Sequence, residues 1–271
     1  MASALEVLFE DNHLLVVNKP AGLATMGVSE DEPSLWRVCR EYIRRKYQKP
    51  GNVYLGVVSR VDRLVTGVVV FARTSKAASR LAEQFREGTV EKIYWALLER
   101  PPSPVAGCCE DWVWKNELRQ RMEVVRKARE GSSGPQDSPV QGQFAQLSYQ
   151  TLASDQGTTL VEVQLETGRK HQIRLQLGSR GWPVVGDQKY GAKTALKMGD
   201  NRGRSNSVQS SDAVSVRRIA AEGGRANAES IALHARRLRL QHPVRKELLE
   251  FVAPLPAAWG PRWQAWSNDQ E

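Results

Sequence analysis

Residues 59–67 read Ser-Arg-Val-Asp-Arg-Leu-Val-Thr-Gly and lie between the apolar runs Val53–Val58 and Val68–Phe71. Short β-branched runs broken by a polar segment predict two strands joined by a loop. Upstream, Leu35, Val38, Cys39, Tyr42 and Ile43 recur with helical spacing, which predicts a helix over Ser34–Gln48. Arg37, Arg40 and Arg44 form a basic stripe opposite, and residues 36–49 hold six basic side chains against one acidic. The stripe reads equally as a solvated helix face or as a surface for phosphates. Further back, Glu6–Glu10 and His13–Asn18 read as strands. Lys19-Pro20-Ala21-Gly22 ends the second, because Pro cannot continue a central strand and Gly permits a turn.

Downstream, Ser75–Glu87 is predicted as a helix, with Ser75 as N-cap, an apolar face of Ala78, Leu81, Ala82 and Phe85, and Gly88 just past its end. Lys92–Leu98, residues 111–125 and residues 143–152 read as strands, with a flexible polar loop over 130–143. Thr159–Thr167 sets Val161, Val163 and Leu165 against Glu162, Gln164 and Glu166, the alternation of a strand with one buried face. A short helix follows to about Gly178. Residues 192–229 are rich in Ser, Gly, Ala, Arg and Asn, hold no aromatic residue and show no period, so they read as a disordered insertion. Order resumes at Ile231–Leu240. The tail, residues 257–271, brings Trp259, Trp263 and Trp266, expected to pack back on the domain. Strands and helices are interspersed without strict alternation. That predicts an α+β fold with a mixed, mostly antiparallel central sheet and flanking helices.

The chain has 271 residues, 41% apolar and 25% charged, the profile of a globular protein with one large domain or two small ones. No apolar run reaches the roughly 20 residues that span a bilayer. Met1–Leu15 carries Glu6, Glu10 and Asp11 and no Lys or Arg, unlike a signal or transit peptide. Cys39, Cys108 and Cys109 make neither a disulfide framework nor a metal spacing, which points to a reducing, cytoplasmic setting. His13, His171, His234 and His242 share no ligand spacing, so no metal is expected. Lys plus Arg number 39 and Asp plus Glu 30, a formal charge of +9 that favours a polyanion, either nucleic acid or an anionic membrane surface.

Five segments recur in order: Asn18-Lys19-Pro20-Ala21-Gly22-Leu23, then Ser59–Gly67, then Lys92-Ile93-Tyr94, then Thr167-Gly168-Arg169-Lys170-His171-Gln172-Ile173-Arg174, then Leu233-His234-Ala235 running to His242-Pro243. The set resembles the RluA-type family of pseudouridine synthases, whose pattern is N-K-P-x-G-L, H-R-L-D-x-x-T-S-G, K-x-Y, T-G-R-x-H-Q-I-R, and L-H-A with a later H-P. The resemblance covers about residues 6–256 apart from the two polar stretches. It departs in the second motif, where Ser59 replaces His, Val61 replaces Leu and Val65-Thr66 replaces Thr-Ser, while Arg60 and Asp62 remain. It implies the pseudouridine synthase fold and RNA as partner. It also implies a single catalytic domain over about residues 6–256, expected without an N-terminal S4-type RNA-binding domain because the first strand begins by about Glu6, and nothing in the sequence points beyond a monomer.

The implied reaction breaks the N1–C1′ glycosidic bond of uridine and rejoins the base through C5. Nothing is oxidised or lost, so no cofactor is implied. An ionised carboxylate near the sugar serves as nucleophile or base. The resemblance gives that role to Asp62, which read alone is a turn-forming residue. Burial disfavours an ionised carboxylate and a nearby guanidinium favours it. The resemblance assigns the guanidinium to Arg174, more than a hundred residues away, and uracil stacking to Tyr94. It sets Arg60, Lys19, Lys92, Arg169 and His171 along the RNA, with Arg60 filling the gap left by the flipped nucleotide. A second reading is a catalytically silent RNA-binding protein of the same fold, such as a ribosome-assembly factor, which the altered second motif supports. A third, a basic enzyme acting on a free nucleotide, lacks a Gly-rich phosphate loop.

Overall fold

The computed structural model describes residues 5–29, 31–125, 142–196 and 230–268. The described strands are β1 (Glu6–Glu10), β2 (Leu14–Lys19), β3 (Gly56–Val57), β4 (Thr66–Ala72), β5 (Glu91–Leu98), β6 (Ala106–Asn116), β7 (Arg121–Val124), β8 (Gln143–Asp155), β9 (Thr158–Leu165), β10 (Leu233–Gln241) and β11 (Leu248–Val252). The helices are α1 (Leu35–Lys46), α2 (Ser75–Glu87), α3 (Gln172–Ser179) and α4 (Pro261–Asn268). All strands join one sheet of order β1-β2-β4-β10-β5-β9-β8-β6-β7, with β3 on β4 and β11 on β10. β4 and β10 pair in parallel and the other pairs are antiparallel, the mixed, mostly antiparallel sheet expected.

The two faces of the N-terminal half are covered separately. Leu15, Val17, Val69 and Phe71 pack on α1 through Leu35, Cys39 and Ile43. Leu14, Val16, Val70 and Ala72 pack on α2 through Ala77 and Leu81. Strand alternation makes this possible, since successive side chains point to opposite faces. The tail Trp residues do pack back. Trp259 and Trp263 are buried, and Trp266 meets Trp95 edge-on at 5.5 Å.

Four local readings need correction. Only Gly56–Val57 of residues 53–58 pairs as a strand. The carbonyls of Val53 and Leu55 are taken by Arg40 Nε and Trp36 Nε1 from α1 instead of by a neighbouring strand. Helix α2 is capped by Thr74, whose Oγ1 accepts from Ala77 N at 3.2 Å, and Ser75 is already helical. Residues 111–125 are not one strand: β6 turns back into β7 at residues 117–120. Residues 192–196 belong to the ordered fold, because the Glu99 carboxylate accepts from Lys193 N at 2.9 Å and Thr194 N at 2.7 Å, and Leu196 packs on the core. Residues 197–229 of the supposed insertion, and residues 130–141 of the supposed loop, lie outside the described residues.

The parallel junction of β4 and β10 sets the centre of the molecule. Gly67 has φ +111, and a Cβ there would lie 2.2 Å from Ala235 O, so only glycine lets the strands approach. Beside it, His234 is fully buried. It donates from Nε2 to Ala253 O at 3.2 Å and accepts from Thr66 Oγ1 at Nδ1 at 2.8 Å. Burial pushes its pKa down to about 4, the bond to the Ala253 carbonyl opposing and the Arg236 charge assisting. Between that value and the ordinary value near 6.5 the unfolded chain binds a proton that the folded chain refuses. Stability is therefore present above pH 6.5 and is lost as pH falls towards 4. Urea unfolding at pH 5 is expected to show a loss of about 2 kcal/mol from this residue relative to pH 7, at about 1.4 kcal/mol per pH unit. Equal stability at the two pH values would refute this account of His234.

Candidate active site

The loop over residues 59–67 is latched to the turn after β2. Gly22 N donates to Arg63 O at 2.9 Å, and Arg63 Nε returns a bond to Gly22 O at 2.9 Å. Thr25 Oγ1 donates to Val61 O at 2.9 Å. Lys19 closes the latch. Its side chain is fully buried, and Nζ donates to Pro20 O at 2.9 Å, Leu23 O at 2.7 Å and Arg63 O at 3.2 Å. Burial pushes its pKa down to about 7, with the Asp62 charge opposing. Lys19, expected along the RNA, thus holds the loop from inside the fold and is not among the residues that line the cleft. All three ammonium protons have backbone acceptors inside the fold.

The second wall is the turn from β9 into α3. Gln172 organises it: its Oε1 accepts from Thr167 Oγ1 at 2.8 Å and from Arg169 N at 2.9 Å, and its Nε2 donates to Gln146 O at 3.0 Å. His171 takes a left-handed conformation, φ 54, directly before the helix. This brings Arg174 inward, where it is 3% exposed.

Arg174 stands between two carboxylates. Its NH1 donates to Asp62 Oδ2 at 3.1 Å, while Nε and NH2 grip Asp187 at 2.6 and 2.9 Å. Burial works against the guanidinium charge, but the bonds to Asp187 and Asp62 outweigh it and raise the Arg174 pKa. Asp62 retains 26% side-chain exposure. Its carboxylate therefore faces the cleft while anchored from behind. His171 Nε2 lies 3.7 Å from Asp62 Oδ2, and its Nδ1 is 2.8 Å from Tyr190 Oη. Burial lowers the His171 pKa to about 4, against the pull of Asp62, so the ring is neutral at pH 7.

Asp62, Tyr94, Arg174, Arg60, Lys92, Arg169 and His171 all line one cleft of about 1000 Å³. Tyr94 is half-buried there, and burial, with the Asp62 charge, raises its hydroxyl pKa far above the usual range. Burial lowers the Lys92 pKa while the Glu166 charge opposes. Arg60 is exposed at the rim and makes no hydrogen bond or ion pair to the described residues. Arg169 donates from Nε to Phe144 O at 2.8 Å. Lys170 and Lys189 extend the positive lining. The α1 stripe is not part of this surface. Arg37 donates to Ser29 O and Glu32 O, Arg40 lies over the Trp36 ring at 4.5 Å, and Arg44 pairs with Glu41 at 3.0 Å. Sequence reasoning missed Asp187 and Tyr190, which sit in an irregular stretch with no periodic or motif signal recognised beforehand.

Residues 13–179 match the family described as RNA pseudouridylate synthase. The chain belongs to that family. It is 31% identical over 256 residues to an uncharacterised RNA pseudouridine synthase of Bacillus subtilis, covering 93% of this chain and 69% of the relative. It is 32% identical over 261 residues to ribosomal large subunit pseudouridine synthase D of Nitrosomonas europaea, covering 94% and 63%. The chain thus spans about two thirds of the length of these curated relatives. Among solved structures it is similar to human RNA pseudouridylate synthase domain containing 4, with a TM-score of 0.67, 28% identity and coverage of 98% of this chain and 92% of that one. Membership of this pseudouridylate synthase family makes the chain an RNA-directed isomerase by class. Among the described residues, no group of His, Cys, Asp or Glu is arranged to hold a metal ion, and no helix is long and apolar enough to cross a membrane.

Proposed function

We propose that the chain is an active pseudouridine synthase that isomerises particular uridines in structured ribosomal or transfer RNA, as a monomer, with Asp62 as the essential carboxylate. One observation carries the reading. A cleft-facing carboxylate is fixed from behind by Arg174 at 3.1 Å, with Tyr94 and a positive rim in the same cleft. Arg174 holds and aims Asp62 through its hydrogen bond, Tyr94 offers a face to the uracil, and Arg60 fills the place the flipped nucleotide leaves. Detachment of the base at N1, rotation and reattachment at C5 leave one proton to depart from C5 and one to arrive at N1. The composition of the uridine is unchanged. A cytoplasmic or other reducing compartment suits the unpaired Cys39, Cys108 and Cys109. Retention of Asp62, Arg174 and Tyr94 in one cleft argues against the silent RNA-binding reading, which requires none of them.

The decisive assay is tritium release from RNA labelled at C5 of uridine, because isomerisation expels that hydrogen as water. Release by the wild-type protein is expected. Tight binding without release from any cellular RNA pool would overturn the reading. Binding itself is expected to weaken with salt. Three to five phosphate contacts give a slope of log affinity on log salt of about −2 to −4. A flat response in a titration from low to high salt would remove the positive cleft from the account.

A further inference from the structure

We infer that His171 is a positioning residue for the isomerisation: with its ring proton on Nε2 and its Nδ1 fixed by Tyr190, it joins Arg174 in holding Oδ2 of Asp62 and leaves Oδ1 free to face the substrate. This rests on the reading of Asp62 as the essential carboxylate. The contacts of that carboxylate are one-sided. Arg174 NH1 at 3.1 Å and His171 Nε2 at 3.7 Å both meet Oδ2. Oδ1 takes no hydrogen bond from the described residues.

The hydrogen bonds assign the ring proton. Met122 N donates to Tyr190 Oη at 3.2 Å, so the hydroxyl proton is free to go to His171 Nδ1, 2.8 Å away. A neutral imidazole has one donor and one acceptor nitrogen, so with Nδ1 accepting, Nε2 carries the proton. The other tautomer would turn a lone pair on Nε2 towards the Asp62 carboxylate. Burial keeps the ring neutral against the pull of Asp62, and the charges of Arg174, Lys189 and Lys170 act with burial. At 3.7 Å the pair of Nε2 and Oδ2 is longer than a hydrogen bond, and catalytic hydrogen bonds of this kind tighten when substrate is bound.

One short turn supports both groups that meet Oδ2. Residues 187–190, closed by Tyr190 N donating to Asp187 O at 3.0 Å, present Asp187 to Arg174 and Tyr190 to His171. The Tyr190 ring also lies 5.1 Å from the Arg174 guanidinium and meets the His171 ring edge-on at 5.7 Å. The His171 backbone agrees with a functional constraint. Its φ of 54 is uncommon for a residue with a Cβ, and such conformations persist where surrounding contacts impose them. The side chain makes no cap bond to α3, so helix capping does not explain its place. A phosphate contact would need one of its nitrogens, and both are committed inside the protein, with the side chain 14% exposed.

Two variants divide the ring. Asn places its amide where Nδ1 lies and accepts the left-handed backbone readily. Gln extends its amide to the position of Nε2, and this chain already holds Gln48, Gln120 and Gln156 at φ 44 to 48. His171→Asn therefore keeps the Tyr190 end and loses the Asp62 end, and His171→Gln does the reverse. With tritium release as the assay, His171→Asn should lower kcat about 10²-fold, the scale of a misplacement of about 1 Å, with KM for RNA within about 3-fold of wild type. His171→Gln should recover at least about 10-fold of that loss. Equal kcat in the two variants would overturn the positioning role. So would a loss carried by KM, the mark of a phosphate contact. Nitrogen-15 NMR of the wild-type imidazole at pH 7 needs neither substrate nor variant. A neutral ring protonated on Nε2 is expected, and a proton on Nδ1 or on both nitrogens would refute the inference. An Nε2 proton in a protein that releases no tritium refutes the isomerase reading alone.

Discussion

Asp62→Asn is expected to abolish isomerisation, by at least about 10⁴-fold, the scale at which a reacting nucleophile is lost. The substitution is close to isosteric. Its amide oxygen still accepts from Arg174 NH1, now 3.1 Å from Asp62 Oδ2. Arg174 also keeps both bonds to Asp187, so the wall of the cleft stays in place. RNA affinity should remain within several-fold of wild type and the urea midpoint should be unchanged. The loss then falls on the chemical step, where a neutral amide neither attacks an electron-poor sugar nor accepts a proton. Tritium release and RNA binding measured on the same preparation check this. Near-normal turnover would remove Asp62 from the mechanism.

Arg174→Met should reduce both stability and turnover. Asp187 is 1% exposed, and its carboxylate takes two hydrogen bonds from Arg174. Removing the guanidinium leaves that charge buried and unpaired, a loss of about 3–5 kcal/mol. Asp62 is less affected thermodynamically because solvent still reaches it, but it loses the group that aims it. The double variant Arg174→Met with Asp187→Leu separates the two effects. Replacing both members of a buried pair by apolar groups is often neutral or stabilising. Much of the stability should return while tritium release stays lost. Arg174→Lys is expected to fall between, because an ammonium supplies charge without the planar fork that grips Asp187. Wild-type stability in Arg174→Met, measured by urea unfolding, would show that the buried Arg174–Asp187 pair contributes nothing to the fold.

Much of this protein was legible before its structure. The apolar repeats of α1 and α2, the alternation along β9 and the glycine after α2 are local signals, because helix and strand periods place neighbours on one face whatever the rest of the chain does. The motifs brought Asp62, Tyr94 and Arg174 into one expected site, and the cleft contains all three. Where local rules failed, a distant partner had intervened. The strand over residues 53–58 is mostly absent because Trp36 and Arg40 take its carbonyls. The basic stripe of α1 read equally as a solvated face or a phosphate surface, and its partners are local: Arg37 and Arg40 hydrogen-bond to loop carbonyls and Arg44 pairs with Glu41.

By itself, then, the sequence determined the fold class, most element positions and the residues that meet in the cleft, since periodicity and motif order are properties of the chain. Tertiary structure alone decided which charges face solvent and which hold the protein together. Lys19 turned inward because three carbonyls converge on it. Asp187 became the anchor of Arg174 because the bend after α3 returns it to that helix. A charged side chain carries no mark in sequence of whether its partner is water or protein; that is set by desolvation and by hydrogen bonds that exist only once distant segments are packed together.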